Sequence, residues 1–330
     1  MAPLARFLHT FIRTTFRRTS AQGAIVFCLS CFLLTAGLRA QENSATNLVP
    51  SGKGWGVPGG GLSTDTVATG NGIQYHNGPI MPGTVHIYFV WYGNWVNGPH
   101  ASDSPMTVSL LQGLFAPHVL GGSPYAKINS TYGDQTANVT GNFQLKAAAT
   151  DPYSQGQKLT DTTLTTVISN AIASHALPLD ANGVYEVLSS SDVTETSGLC
   201  HTYCGFHGHT LIDKTDIKFV FVGNTDRCPG ACEVQSVTPN GDSGADGMAN
   251  IMAHETEETI TDPDLNAWFN NAGTENADLC QWRFGPVVGT LGNGAYNQTL
   301  GGRHWLIQMV WENAHGGGCA QKLNGTFYTQ

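Results

Sequence analysis

Basic residues are scarce in this chain. There are 15 Lys and Arg against 24 Asp and Glu, and five of the 15 are arginines within the first forty positions, a stretch with no acid. From residue 41 onward ten basic residues face 24 acidic ones, a net −14. That balance excludes a phosphate-backbone binder, which needs clustered Lys and Arg, so no nucleic acid is expected as a partner. Long apolar runs are equally rare. The longest, Ala24–Leu38, has 15 residues, short for a membrane span, and nothing after it approaches that length. A Gly-rich phosphate loop and a nucleophile-elbow serine are both missing. Charged residues make up only 12% and glycines number 40, which argues against a helical bundle and for a loop-rich domain.

What is present begins with an address. Arg6, Arg13, Arg17 and Arg18 precede the apolar run, which ends near Arg39-Ala40-Gln41. Basic, then apolar, then small is the order of a secretory signal peptide, here residues 1–40 with cleavage near Ala40. Cys31 after Ser30 offers a lipoprotein cysteine as a competing reading, but little apolar length precedes it. Six cysteines remain after cleavage: Cys200, Cys204, Cys228, Cys232, Cys280 and Cys319. An even number in an exported chain reads as disulfides. The expected location is secreted or periplasmic, without stable membrane insertion.

Residues 41–82 are rich in Gly, Ser, Asn and Thr and read as a flexible arm. The ordered domain is expected over 83–330. "TVHIYFVW" (84–91), "VYEVL" (184–188) and "IKFVFV" (217–222) read as strands, dense in β-branched and aromatic residues. Helices are expected over Met106–Phe115 and over Leu164–His175, the latter capped by Asp161 or Thr162. A third helix runs from about Gly247 to Thr261, stopped by Pro263. "HWLIQMVW" (304–311) reads as a late strand. Interleaved strands and helices predict an α/β chain (α+β as the alternative): a zincin-like mixed sheet flanked by helices, with a disulfide-braced irregular C-terminal part.

The chemistry concentrates in "ANIMAHETEETITDPD" (249–264). His254 and Glu258 are one helical turn apart and project the same way. HExxH presents two zinc ligands in that geometry, with the intervening Glu as general base. Here the second position is Glu258, an oxygen donor that zinc accepts, and Glu255 takes the place of the base. The competing reading is a solvated acidic helix. Met248, Ala249, Ile251, Met252 and Ala253 make the preceding turns apolar, so the His–Glu–Glu group is expected to be buried, where carboxylates need partners. Few cations lie nearby in sequence to serve.

The third ligand is less defined. Asp264 lies ten positions after His254, but Thr261 stands where a chain-reversing Gly would be needed. Asp262 precedes Pro263 and suits a helix-end cap. Asp278, 24 residues after His254 in "TENADLC", is the preferred completion, with Glu275 next. The expected centre is one zinc ion on His254, Glu258 and Asp278, with Glu255 catalysing amide hydrolysis.

Several stretches together resemble the EXORDIUM/phosphate-induced protein 1 family: "GPIMPGTVHIYFVWYGNW" (78–95), "SDVTETSGLCHTYCGFHGH" (191–209), "FVGNTDRCPGAC" (221–232), "PNGDSGADGMANIMAHE" (239–255) and "DLCQWRFG" (278–285). The resemblance covers most of 78–320. It implies a secreted protein of a kind linked in plants to growth and cell expansion, with no established reaction. It also implies that some members keep a His-Glu pair with a Glu one turn later, as in His254, Glu255 and Glu258, while others replace the pair with apolar residues. Two functions therefore stand side by side. One is a secreted zinc metallopeptidase-like hydrolase. The other is a non-catalytic extracellular or cell-wall protein acting in binding or growth signalling, its partner an extracellular peptide, protein or cell-wall material.

Other residues invite both plain and functional readings. Cys200, Cys204, His207 and His209, or the four cysteines 200, 204, 228 and 232, have metal-site spacing. Export favours disulfides joining 200/204 to 228/232 in some order, with Cys280 to Cys319. His207 reads as a structural histidine or a polarising group in the cleft. Trp91, Tyr92 and Trp95 could bind sugar or peptide rings; a strand this apolar more often supplies core, which comes first for Trp91, while Trp95, after Gly93-Asn94, is the better surface candidate.

Overall fold

A computed structural model describes residues 71–328 together with Pro50, Ser51 and Lys53. The expected signal peptide lies outside the described residues. Five strands form the central sheet: β1 (Thr84–Tyr92), β2 (Asn142–Asp151), β3 (Gly183–Ser189), β4 (Gly205–Ile212) and β5 (Thr215–Gly223). Their order across the sheet is β2-β1-β3-β5-β4; the first four are parallel and β4 runs antiparallel to β5 at one edge. Three helices pack on it: α1 (Pro105–Leu114), α2 (Asp161–Ala173) and α3 (Ser243–Thr261). The class is α/β.

The sheet is apolar on both faces, which explains why β1 reads as a continuous run rather than an alternating one. Val85, Ile87, Phe89 and Trp91 point to one face, where they join Leu110, Leu111 and Leu114 of α1 and Met248, Ile251 and Met252 of α3. Tyr88, Val90 and Tyr92 point to the other, against Leu164, Val167 and Ile168 of α2. Two cores thus sandwich one sheet. Trp91 belongs to the first, as expected. Trp95 does too: it is buried, its ring 4.9 Å from that of Trp91 and its Nε1 donating to the Tyr92 carbonyl at 3.1 Å. A sugar-stacking role at that ring is therefore corrected; the turn that exposes Val96 folds the Trp95 indole back under the sheet.

Local detail differs from the sequence reading in three further places. The cap of α2 is Thr160, whose hydroxyl accepts from the Thr163 N–H while Thr163 returns a bond to the Thr160 N–H. Residues 71–82, grouped with the arm on composition, join the fold: Gln74–Tyr75 pairs antiparallel with Trp268–Phe269, and Ile73, Ile80 and Met81 are buried. The stretch 304–311 is two short strands, Arg303–Trp305 and Val310–Glu312, each in its own hairpin ladder. Residues Leu306 to Met309 between them are buried without strand pairing; Ile307 bonds the Asn297 side chain, the Met309 N–H donates to the Arg283 carbonyl, and Gln308 serves the site around His254.

All six cysteines from residue 200 onward are paired: Cys200–Cys228, Cys204–Cys232 and Cys280–Cys319. The first two tie the loop entering β4 to the segment before α3, and the third braces the C-terminal part. A thiolate metal site at these positions is thereby ruled out. Among the described residues, no helix is long and apolar enough to cross a membrane.

Candidate metal centre

Helix α3 carries the centre. Asp242 caps it, its carboxylate accepting from the Ala245 N–H at 2.9 Å. Its far end closes on Asp262, whose side chain accepts from the N–H groups of Asn266 and Ala267 at 2.6 and 2.5 Å. Every residue from Gly244 to Thr261 is buried. A solvated acidic face is thus excluded. Close approach to neighbours requires glycine: a Cβ on Gly205 of β4 would stand 2.5 Å from Ile251 of α3, and one on Gly247 would stand 2.3 Å from the Thr225 hydroxyl.

Five residues from three parts of the chain meet at the last two turns of α3. His254 and Glu258 come from the helix, His207 from edge strand β4, and Glu275 and Asp278 from the segment leading to Cys280. His254 Nε2 lies 3.1 Å from Glu258 Oε1 and 3.3 Å from Asp278 Oδ1. The Asp278 N–H donates to the same Glu258 oxygen at 2.8 Å. These three side chains can present one ligand atom each to a common point. Glu255, one residue beyond His254, is also buried, and its Oε2 makes no hydrogen bond.

The alternatives separate cleanly. Asp264 pairs with Lys218 Nζ at 2.5 Å and stands away from the centre, near His209 and Asp216 on the surface side. Asp262 is the helix-end cap. Glu275 does lie in the cluster, but against His207, whose Nε2 is 3.1 Å from both of its oxygens. His207 is fully enclosed. The sequence reading of a polarising group in the cleft did not pair it with Glu275, because β4 supplies it from a strand of Gly and His whose type the sequence does not declare.

Behind the ligand set stands an ordered polar frame. Asn250 Oδ1 accepts from the Gln308 N–H at 2.8 Å, and Gln308 Oε1 accepts from the Trp282 N–H at 2.7 Å. The Gln308 amide is therefore oriented, and its Nε2 donates to His254 Nδ1 at 2.7 Å. The neutral ring must then carry its proton on Nε2, facing Glu258 and Asp278. A cation held through Nε2 would require that proton on Nδ1 and the Gln308 carbonyl turned toward it, which would give a ligating imidazole its outer hydrogen bond at the cost of the one from the Trp282 N–H.

The electrostatics are those of buried acids short of cations. Among the described residues, no Lys or Arg forms an ion pair with Glu255, Glu258, Glu275 or Asp278. Burial, with the Asp278 charge, pushes the Glu258 carboxyl up to about 7 although His254 opposes it. Glu255 and Glu275 are raised well above the usual carboxylate range, chiefly by burial and then by their acidic neighbours. Burial opposes charge on His254, but Glu258 and Asp278 outweigh it and its pKa rises. His207 goes the other way, down to about 3, from burial and the nearby His254.

The conserved region of phosphate-induced protein 1 matches residues 73–321. This chain belongs to the phosphate-induced protein 1 family. It is 31% identical over 274 residues to Protein EXORDIUM-like 5 of Arabidopsis thaliana, covering 72% of this chain and 75% of that protein. Protein EXORDIUM-like 3 of the same plant is 31% identical over 283 residues, 73% and 80% of the two chains. Protein PHOSPHATE-INDUCED 1 of Nicotiana tabacum is 27% identical over 270 residues, 74% and 81%. No solved structure matches. The family and the three disulfides agree with an extracellular setting, since such bonds persist where thiols are oxidised.

Proposed function

We propose that this family member is a secreted protein that works by binding, its fold completed by a divalent cation on His254, Glu258 and Asp278. One observation carries the reading: buried carboxylates grouped with a histidine and without cationic partners, an arrangement that costs free energy unless a metal offsets the charge. Nitrogen and oxygen donors suit zinc. The ligands sit at 6% exposure or less, which favours a cation that holds structure over one that meets a large substrate. Partners are then an extracellular peptide, a protein or cell-wall material, bound elsewhere on the surface. Protein purified without added metal is expected to retain zinc here, and His254→Ala to lose one equivalent by elemental analysis. Chelation should lower Tm, since a ligand at a hundred times its Kd adds about 2.7 kcal/mol. Metal-free protein that neither takes up zinc nor gains stability from it would overturn the reading.

Hydrolysis of amide bonds is the second reading, and the unpartnered Glu255 Oε2 beside the ligand set favours it. A general base contributes to reaction and not to coordination. Glu255→Gln should therefore keep zinc and fold while any peptidase activity falls at least about a hundredfold, the lower range of general acid–base effects. Absence of cleavage across a diverse peptide library by zinc-loaded wild type would leave the binding reading alone.

A further inference from the structure

Glu258 has two oxygens and they face different histidines. Oε1 lies 3.1 Å from His254 Nε2, while Oε2 lies 3.8 Å from His207 Nε2. On the Oε2 side His207 and Glu275 complete a second buried group whose three ligand atoms, like those of the first, lie within 4.8 Å of one another. We propose that His207, Glu258 and Glu275 form a second divalent-cation site, and that Glu258 bridges two ions in one dinuclear centre.

Three observations support this beyond the presence of acids. The first is the donor set, which gives each position one imidazole nitrogen, one terminal carboxylate (Asp278 or Glu275) and one oxygen of the shared Glu258. The second is charge. Glu258, Glu275 and Asp278 are all buried, and among the described residues no Lys or Arg pairs with any of them, so each position offers carboxylate oxygens that no side-chain cation already serves. The third is a buried ring committed to this side: His207 is 1% exposed, its Nδ1 makes no hydrogen bond, and its polar contacts run through Nε2, which faces Glu275 and Glu258. Paired ions bridged by a carboxylate sit about 3.5–4 Å apart, a spacing that the two oxygens of one carboxylate can span. The surface group His209, Asp216 and Asp264 differs in kind, because the Lys218 ammonium already stands 2.5 Å from both of its carboxylates.

The inference rests on the first site, yet the two can fail separately. Zinc chloride titrated into metal-free full-length mature protein, followed by calorimetry and elemental analysis, should give two equivalents bound per chain. Glu275→Gln, close to isosteric, and His207→Ala should each bind one fewer equivalent than wild type while keeping the ion at His254. Unfolding curves of the metal-free variants would establish that each is folded. A wild type that binds one ion, still bound in Glu275→Gln and lost in His254→Ala, overturns the second site and leaves the first. Loss of the only ion in Glu275→Gln but not in His254→Ala overturns the first site and the bridge together. No zinc bound by wild type overturns both.

Discussion

Metal-free protein is expected to become more stable, not less, when the pH falls from 8 to 5. The reason lies in buried carboxyls that no cation serves. Glu186 of β3 is wholly buried, with one oxygen accepting from the Thr256 hydroxyl at 3.1 Å and the other unpartnered. Burial raises its pKa from 4.5 to about 8, the Thr256 bond offsetting only part. Glu257, both of whose oxygens lack hydrogen bonds, is raised well above the usual range by burial alone. Between pH 4.5 and about 8 the folded chain keeps a proton on Glu186 that the unfolded chain has released. The native state then binds more protons, so its stability falls as pH rises through that window and is fully present below it. At about 1.4 kcal/mol per pKa unit, Glu186 alone accounts for a change on the order of 4 kcal/mol, while His207, lowered from 6.5 to about 3, opposes it below pH 6.5 by on the order of 2 kcal/mol at pH 5. The trend reverses below about pH 4, where Asp180 and Asp192, whose pKa values are lowered by their hydrogen-bond partners despite burial, take up protons. With zinc bound, acidification also protonates the ligands and releases the ion, so the slope between pH 5 and 8 is offset or inverted. Melting curves at pH 5, 6.5 and 8, with zinc and with chelator, read both slopes. A chelated protein whose Tm climbs steadily from pH 5 to 8 would contradict the burial argument.

Much of this arrangement was legible in the residues. Strands β1, β3 and β5 declare themselves because a doubly covered parallel sheet selects segments dense in β-branched and aromatic residues, and each is such a segment, broken by His86, Glu186 and Lys218. The motif helix was legible for a related reason: apolar turns before His254 could only be buried. Two strands escaped. β2 contains "LKAAAT", with few β-branched residues and alternate positions exposed at the sheet edge, so neither composition nor run length marks it. β4 reads "GFHGHTLI", where two glycines conceal the strand: Gly205 admits Ile251 of α3 and Gly208 faces the Phe219 ring of β5.

The same distinction runs through the candidate site. Asp278 was placed with His254 and Glu258 from chain distance and the adjacent Cys280, and it stands there. Glu275 entered only as a substitute for Asp278, whereas the fold places both, each against its own histidine. His207 was open between a structural histidine and a polarising group in the cleft, because its position beside Glu275 and Glu258 depends on β4 lying antiparallel at the edge next to α3, a tertiary fact. Gln308 was hidden inside an expected strand. The buried segment Leu306–Met309 forgoes strand pairing, and Gln308 there spends its backbone and side chain on Asn250, Trp282 and His254.

Removing the Cys280–Cys319 bridge is expected to cost more stability than removing either of the other two. The bonded cysteines are 39 residues apart, and chain entropy for a loop of that size corresponds to about 4 kcal/mol. For a domain of this length that lowers Tm by about 8–16 °C. The other bridges each span 28 residues and tie the same two segments, so deleting one leaves the other holding the loop closed. The double substitution Cys280→Ala, Cys319→Ala also reaches the candidate centre. Asp278–Cys280 form a single short turn, and the Asp278 N–H that donates to Glu258 begins it. Freed from Cys319, that turn holds Asp278 less firmly, so zinc affinity should fall along with stability, whereas Cys200→Ala, Cys228→Ala should leave zinc affinity unchanged. Urea unfolding of the two variants, metal-free and then zinc-loaded, separates the effects. Equal stability losses in the metal-free state would show that loop length does not set the order, and unchanged zinc affinity in the Cys280 variant would show that the bridge does not position Asp278.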